Sequence, residues 1–330
     1  MHRPSLPSRA VELLVAFFCL ALGSTAATPQ DIFKLEDPRG DDHGDGTLVY
    51  PMRADLTQGD LDLVSFSARA TRDGTEFEVA FARPIADPGR QTIDAVGTSR
   101  QDIARFGFYT FNIDVYIDTD RVEGSGSTST LPGRKVTIAA GSAWEKAVIL
   151  TPRPYEAQEG YRNSLTTIAK AELKASRPRV DKEDVELLEK KLVAQAAGSV
   201  HFPTRVTVTG TAVRFLVPHE FLGGPARETW GYVVVVSGAD MRQKFSLTLV
   251  GTAQTGGPGV MILPILPGLS REAFGGARDD DALQPPLVDI IVPKGMKQEA
   301  VLKDYDLLQN RPVALLGVVP AAEKAEANHD

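Results

Sequence analysis

From residue 60 onward, apolar and polar positions alternate in short runs, the period-two mark of strands with one face buried. Glu76-Phe77-Glu78-Val79-Ala80-Phe81 alternates without a break. Tyr109, Phe111, Ile113, Val115 and Ile117 place five apolar side chains on one face of a second strand. Its other face carries Thr110, Asn112, Asp114 and Tyr116, which predicts a groove or a second polar surface there. The run closes at Asp118-Thr119-Asp120 and gives way to a loop rich in Gly, Ser and Thr over residues 122–132. Further strands are expected over residues 135–139, 147–150, 205–208, 212–217, 231–237, 244–250 and 288–292. Turn residues separate nearly all of them, and no regular βαβ rhythm is visible. The pattern predicts an all-β fold, a jelly-roll-type β-sandwich.

One segment departs from period two. Across residues 181–197, Val185, Leu188, Leu192 and Ala196 recur at helical spacing, and Asp181 is suited to the N-cap. Residues 169–174 add a helical turn before Pro178. A helical insertion around residues 165–200 follows. Residues 321–330 are polar, with nothing to pack, and are expected to be a frayed tail.

The N-terminus changes the picture. Arg3 and Arg9 precede a ten-residue apolar run, residues 13–22, which is followed by Ser24, Thr25, Ala26 and Ala27. This is the layout of a cleavable export signal, residues 1–27, and the run is well short of the roughly 20 residues a spanning helix needs. The expected mature domain, residues 28–320, is then exported to the periplasm or the extracellular side of the cell envelope, without a transmembrane anchor. Cys19 is the only cysteine and falls inside the signal, so disulfides, thiolate metal sites and thiol catalysis are excluded for the mature chain. Phe17 and Phe18 before it do not suit a lipoprotein signal. Loss of Arg3, Arg9 and Glu12 takes the formal charge from −7 to about −8. With basic residues scattered among acidic ones, nucleic acid is not an expected partner.

Chemistry concentrates at Asp37-Pro38-Arg39-Gly40-Asp41-Asp42-His43-Gly44-Asp45-Gly46, where four carboxylates and three glycines share ten residues. Hard oxygen donors on a flexible loop suit calcium, which takes six to eight oxygens, although the spacing is not that of an EF-hand. Two readings stand: a calcium site at Asp37, Asp41, Asp42 and Asp45, or a solvated acidic turn. Arg278-Asp279-Asp280-Asp281 and the pair Asp118 and Asp120 admit the same two readings, as further cation sites or as loop and turn residues. No nucleophile elbow, zinc-protease helix, phosphate loop or dinucleotide fingerprint occurs, so no enzyme activity is expected. For carbohydrate, stacking platforms are offered by Trp144, Trp230, Tyr109, Tyr155 and Tyr161. Trp144 and Trp230 beside strands also read as core residues, and Tyr155 and Tyr161 read as exposed loop residues.

The loop at Asp37, followed by Thr47-Leu48-Val49-Tyr50-Pro51, resembles the opening of the C-terminal binding module of glucodextranases. Leu48 stands where that pattern has its first tyrosine. The likeness continues through Leu61-Asp62-Leu63, Ile117-Asp118-Thr119-Asp120, Leu131-Pro132-Gly133 and Ala143-Trp144-Glu145-Lys146-Ala147. It runs on through Phe274-Gly275-Gly276, Val288-Asp289-Ile290-Ile291-Val292-Pro293, Gln298, and Leu302 to Tyr305, so that it covers about residues 31 to 320. The resemblance implies a jelly-roll sandwich related to DOMON domains and family-nine carbohydrate-binding modules. It also implies calcium, a polysaccharide or cell-envelope glycan as ligand, and no active site. Two alternatives remain: a structural or interaction protein of the envelope without a sugar site, and a haem-carrying DOMON electron-transfer protein. The latter would need axial ligands from Met241 or Met261 with His201 or His219.

Overall fold

The computed structural model describes residues 30–89, 99–176, 181–240, 261–278 and 283–327. The signal segment, the strand expected over 244–250, Met241 and the Asp279–Asp281 triplet lie outside the described residues.

The chain opens with β1 (Gln30–Glu36), β2 (Leu63–Ala70), β3 (Gly74–Phe81) and a short α1 (Arg100–Ile103). It continues through β4 (Phe111–Asp118), β5 (Val136–Ile138) and β6 (Lys146–Leu150). Two helices follow, α2 (Pro154–Ser176) and α3 (Lys182–Ser199), then β7 (Val200–His201), β8 (Val206–Thr209) and β9 (Ala212–Pro218). The last elements are α4 (His219–Leu222), β10 (Gly231–Gly238), β11 (Asp289–Ile290), α5 (Gln298–Leu302), β12 (Val313–Leu315) and α6 (Pro320–Ala327). One antiparallel sheet has the order β1-β2-β3-β9-β8; a second has the order β11-β10-β4-β6-β7; β12 and β5 form a parallel ribbon.

The two five-stranded sheets share one core. Phe66, Phe77, Val79 and Phe215 from the first meet Phe111, Ile113, Val115, Ile117, Tyr232, Val234 and Val236 from the second. Cross-strand register sets these rows: Phe77 lies opposite Phe215, Val115 opposite Val234 and Ile117 opposite Tyr232. Because side chains alternate along a strand, the intervening residues of the second sheet point the other way. There Tyr116, Ile149, Val233 and Val235 pack with Val136, Ile138, Val313 and Leu315 of the β5–β12 ribbon in a second core.

That second core corrects the expectation for β4. Its polar face lines no open groove: all eight residues of the strand are buried. Asp114 is neutralised there by Arg134, and Asn112 Nδ2 donates to the carbonyls of Gly238 and Met261.

The helices also differ from expectation. α2 begins at Pro154, where a proline's missing N–H costs nothing, and buries Ala157, Ser164, Leu165 and Ala169. Tyr155 and Tyr161 are therefore helical residues, not loop residues. Asp181 holds the N-cap position of α3, but its side chain makes no capping bond. The polar run expected to fray from residue 321 is helical as α6 through Ala327.

Candidate metal centre

The β1–β2 connection, residues 37–62, is held against the second sheet by its own backbone. Gly44 adopts φ +60, and its N–H donates to Val288 O at 2.9 Å. A Cβ there would stand 2.6 Å from Leu287 O, so only glycine permits this approach. Gln298, the first residue of α5, fastens the same junction. Its Nε2 donates to the carbonyls of Asp41 (2.5 Å), Val288 (3.2 Å) and Gly44 (3.3 Å), while its Oε1 accepts the Ile290 N–H at 2.7 Å.

This arrangement delivers Asp37 and Asp41 to Asp289, more than two hundred residues on. Oxygens of the three carboxylates lie within 4.8 Å of one another. Asp289 is fully buried; one oxygen accepts the Leu63 N–H at 2.8 Å, and the other has no partner. Asp37 Oδ2 and Asp41 Oδ1 are likewise buried without a donor.

Two further aspartates belong to the same region. Asp42 Oδ2 accepts the Tyr50 hydroxyl at 2.5 Å and the Gly59 N–H at 2.6 Å, and Asp62 Oδ2 accepts the Gly40 N–H at 3.0 Å. In each, the second oxygen is buried and unpartnered. Five carboxylates thus each keep one orphaned oxygen, and among the described residues no lysine or arginine forms an ion pair with any of them.

Electrostatics follow from that crowding. Burial pushes the Asp37 carboxyl up to about 8, the charges of Asp41 and Asp62 add to it, and a side-chain hydrogen bond with Asp289 works against the rise. Burial, then the charges of Asp37 and Asp41, pushes Asp289 well above the usual carboxylate range. Burial also raises Asp41 and Asp62. Buried carboxylate oxygens left without a donor are costly, and a hard cation would satisfy them and the crowded charge at once. The donor set fits calcium: oxygens only, several of them carboxylate, on a glycine-bent loop.

Of the sequence candidates, Asp45 does not join this group. Its Oδ1 accepts the Thr47 N–H at 3.0 Å and the Thr47 hydroxyl at 2.7 Å, and its Oδ2 accepts Gln284 Nε2 at 3.3 Å, so it caps a turn. Asp62 and Asp289 were missed as members of this carboxylate region because each stands alone in sequence; the signal was an aspartate interrupting an apolar strand edge. His43 Nε2 pairs with Glu299 at 2.8 Å.

Asp118, Asp120 and Glu145 form a second carboxylate trio within 4.8 Å. At least one oxygen of each is occupied: both of Asp118 by Arg121, Asp120 Oδ1 by Val122 N–H and Ser125, and both of Glu145 by Thr119 and Ser125. These are the bonds of a closed turn.

The aromatic candidates separate by exposure. Trp144 is a core residue, its Nε1 donating to Ser129 O at 2.9 Å and its ring 5.5 Å from Tyr116. Trp230 is buried in the first core. Both are corrected as platforms, since an indole beside a strand gains most by burial. Tyr109 is also buried, its hydroxyl donating to Asp55 at 2.8 Å. Tyr161 is half-buried against Phe202, whereas Tyr155 is 59% exposed. Met261 is spent in the second core.

A β-sheet scaffold that fastens its first long loop to its last sheet edge through Gly44 and Gln298, and gathers carboxylates at that junction, defines a class: a β module with a candidate cation site. The chain belongs to the family described as the C-terminal binding-module, SLH-like, of glucodextranase, whose model matches residues 32–317. That family is one of binding modules, not catalytic domains. No curated protein matches the chain. No helix of the described residues is long and apolar enough to cross a membrane.

Proposed function

We propose that this protein is an exported, non-catalytic module that binds carbohydrate, a polysaccharide or cell-envelope glycan, and is stabilised by calcium held at the β1–β2 loop. The scaffold is then a jelly-roll-type sandwich, with α2 and α3 as an insertion between β6 and β7. One observation carries the calcium reading: five clustered aspartates each keep a buried oxygen that no donor satisfies. Membership of the binding-module family supports the carbohydrate reading, and the signal-like N-terminus supports export.

Calcium acts here on the fold. Asp42 and Asp289 are almost wholly buried, so the ion ties the loop to β11 and does not reach a sugar ring. The glycan is held elsewhere, and Tyr155 is the sequence candidate whose ring is free to stack. The test is thermal unfolding of the mature protein in calcium and in chelator, paired with retention on insoluble glucans and purified envelope glycan. A calcium-dependent rise in midpoint that Asp289→Asn loses is the expected result, because an ion bound only to the folded state must raise it. An unchanged midpoint removes the calcium reading; absence of retention on every glycan removes the carbohydrate reading.

A further inference from the structure

A cleft of about 460 Å³ opens beside the start of β1, between that edge strand and residues 225–229, the segment that leads into β10. Its volume falls in the range of small-ligand sites, and it is open to solvent, as a site for part of a longer chain must be. Its walls are preformed. On one side Gln30 stands opposite Ala70 across the β1–β2 pair. On the other, the Ala226 N–H donates to the buried Thr75 hydroxyl at 2.9 Å. The Arg227 carbonyl accepts the Trp230 N–H at 3.2 Å and the Tyr232 hydroxyl at 2.8 Å, and the Glu228 carbonyl accepts the Ala321 N–H of α6 at 2.9 Å. The segment is thereby tied to β3, β10 and α6, and presents its side chains from a fixed backbone.

The lining is mixed, and its charges cancel. Ile32, Ala70 and Ala226 give it apolar contact area, while Gln30, Asp31, Arg227, Glu228 and Thr229 bring polar groups. Asp31 is paired with Arg69 at 2.8 Å, and Arg227 and Glu228 carry opposite charges, so the cleft selects neither a cation nor an anion. Amide, hydroxyl, carboxylate and guanidinium groups instead set donors beside acceptors. That suits a sugar hydroxyl, which both donates and accepts. An extended peptide fits the same edge poorly. The β1–β2 register shifts between Asp31 and Phe33, a bulge beside the cleft, and the exposed pair Lys34 and Glu36 follows it along the strand. Bulges and charged side chains keep an edge from taking up another strand.

We propose that this cleft is a glycan subsite that takes a neutral, polyhydroxylated stretch of chain, with Arg227 and Thr229 donating to sugar hydroxyls and Asp31 and Glu228 accepting from them. The proposal rests on the carbohydrate reading above, and adds to the stacking position at Tyr155 a second position that holds sugar by hydrogen bonds. A polymer engaging both is retained more strongly than by either, because the second contact forms within the same complex.

The test is retention of the mature protein on insoluble glucans and on purified envelope glycan, with the unfolding midpoint measured alongside. Arg227→Ala removes a donor from an exposed position, and Ala70→Trp fills the cleft from the half-buried end of β2. Each should lower retention several-fold while the midpoint stays near that of wild type. Thr229→Trp, at an exposed position, is the companion should Ala70→Trp fail to fold, with the same expected loss. Retention of Arg227→Ala and of a filled variant equal to that of wild type overturns the subsite and leaves the carbohydrate reading intact. Retention that falls only as folded protein is lost gives these residues a structural role and overturns the subsite as well. Absence of wild-type retention on every glycan overturns both readings.

Discussion

Arg134 donates to both oxygens of Asp114, Nε to Oδ2 at 2.6 Å and Nη2 to Oδ1 at 2.9 Å, with neither side chain more than 2% exposed. Tyr116 donates to the same carboxylate and accepts the Leu131 N–H, so the pair anchors residues 131–134 beneath the second sheet. Removing one member leaves a buried charge unpaired. Arg134→Met is therefore expected to cost about 3–5 kcal/mol, and the double variant with Asp114→Leu distinctly less. Urea unfolding of the three proteins checks it, and a double variant no better than the single would contradict the assignment.

Gln298 bonds both the acidic loop and β11. Gln298→Ala takes the side-chain partner from the Gly44 carbonyl and the Ile290 N–H, while Val288 O keeps the Gly44 N–H and Asp41 O keeps the His43 N–H, and about 1–3 kcal/mol of stability should be lost. The loss should be larger in calcium than in chelator, because the variant also loosens the seat of Asp41. Equal losses in the two conditions would show that Gln298 serves the strand alone.

How much of this was legible depends on how local the signal is. β3 and β4 declare themselves because each alternates, and β10 because its valine run suits a strand buried on both faces. β1 was missed: only Phe33 and Leu35 are buried in it, and a register shift between Asp31 and Phe33 breaks the alternation. The polar side of β4 was misread because a paired aspartate inside a second core looks, in sequence, like a solvent face. At the site, Asp37, Asp41 and Asp42 stood out by crowding, but Asp62 folds back onto the Gly40 N–H and Asp289 arrives through tertiary approach at Gly44, which no local pattern encodes. Asp45 shares the crowding and not the geometry, having Thr47 two residues away to cap.

Without metal, the acidic cluster fixes the sign of the pH dependence. An aspartate in an unfolded chain titrates near 4, whereas Asp37 is pushed up to about 8 and Asp289, Asp41 and Asp62 are also raised. Between those values the folded protein binds more protons than the unfolded, so stability falls as pH rises from about 4 through about 8. His201, lowered by burial, works in the opposite direction within the acid part of that window, and Asp55, lowered by its bonds to Arg53 and Tyr109, does so only below it; neither offsets the four raised aspartates. In chelator the unfolding midpoint should therefore decline from pH 5 to pH 8. In saturating calcium the decline should vanish, since protons and calcium compete for the same oxygens. A midpoint in chelator that rises over this range would show that the carboxylates are not crowded as described.

Tyr155 and Trp144 were both candidates for a sugar platform, Trp144 also reading as a core residue, and the structure makes opposite predictions for them. Trp144 contributes a buried ring and a hydrogen bond to Ser129. Trp144→Ala should cost about 3–5 kcal/mol, with glycan retention falling only as folded protein is lost. Tyr155 sits in the first turn of α2 with its ring in solvent, so Tyr155→Ala should move the unfolding midpoint by little, within about 0.5 kcal/mol. Retention on glycan should nonetheless drop several-fold, because a stacking contact worth about 1 kcal/mol is a factor of five or so in affinity. Measured side by side, unfolding midpoint against retention separates the roles. If Tyr155→Ala binds as wild type does, the platform lies on another ring, with the half-buried Tyr161 the remaining sequence candidate outside the cores.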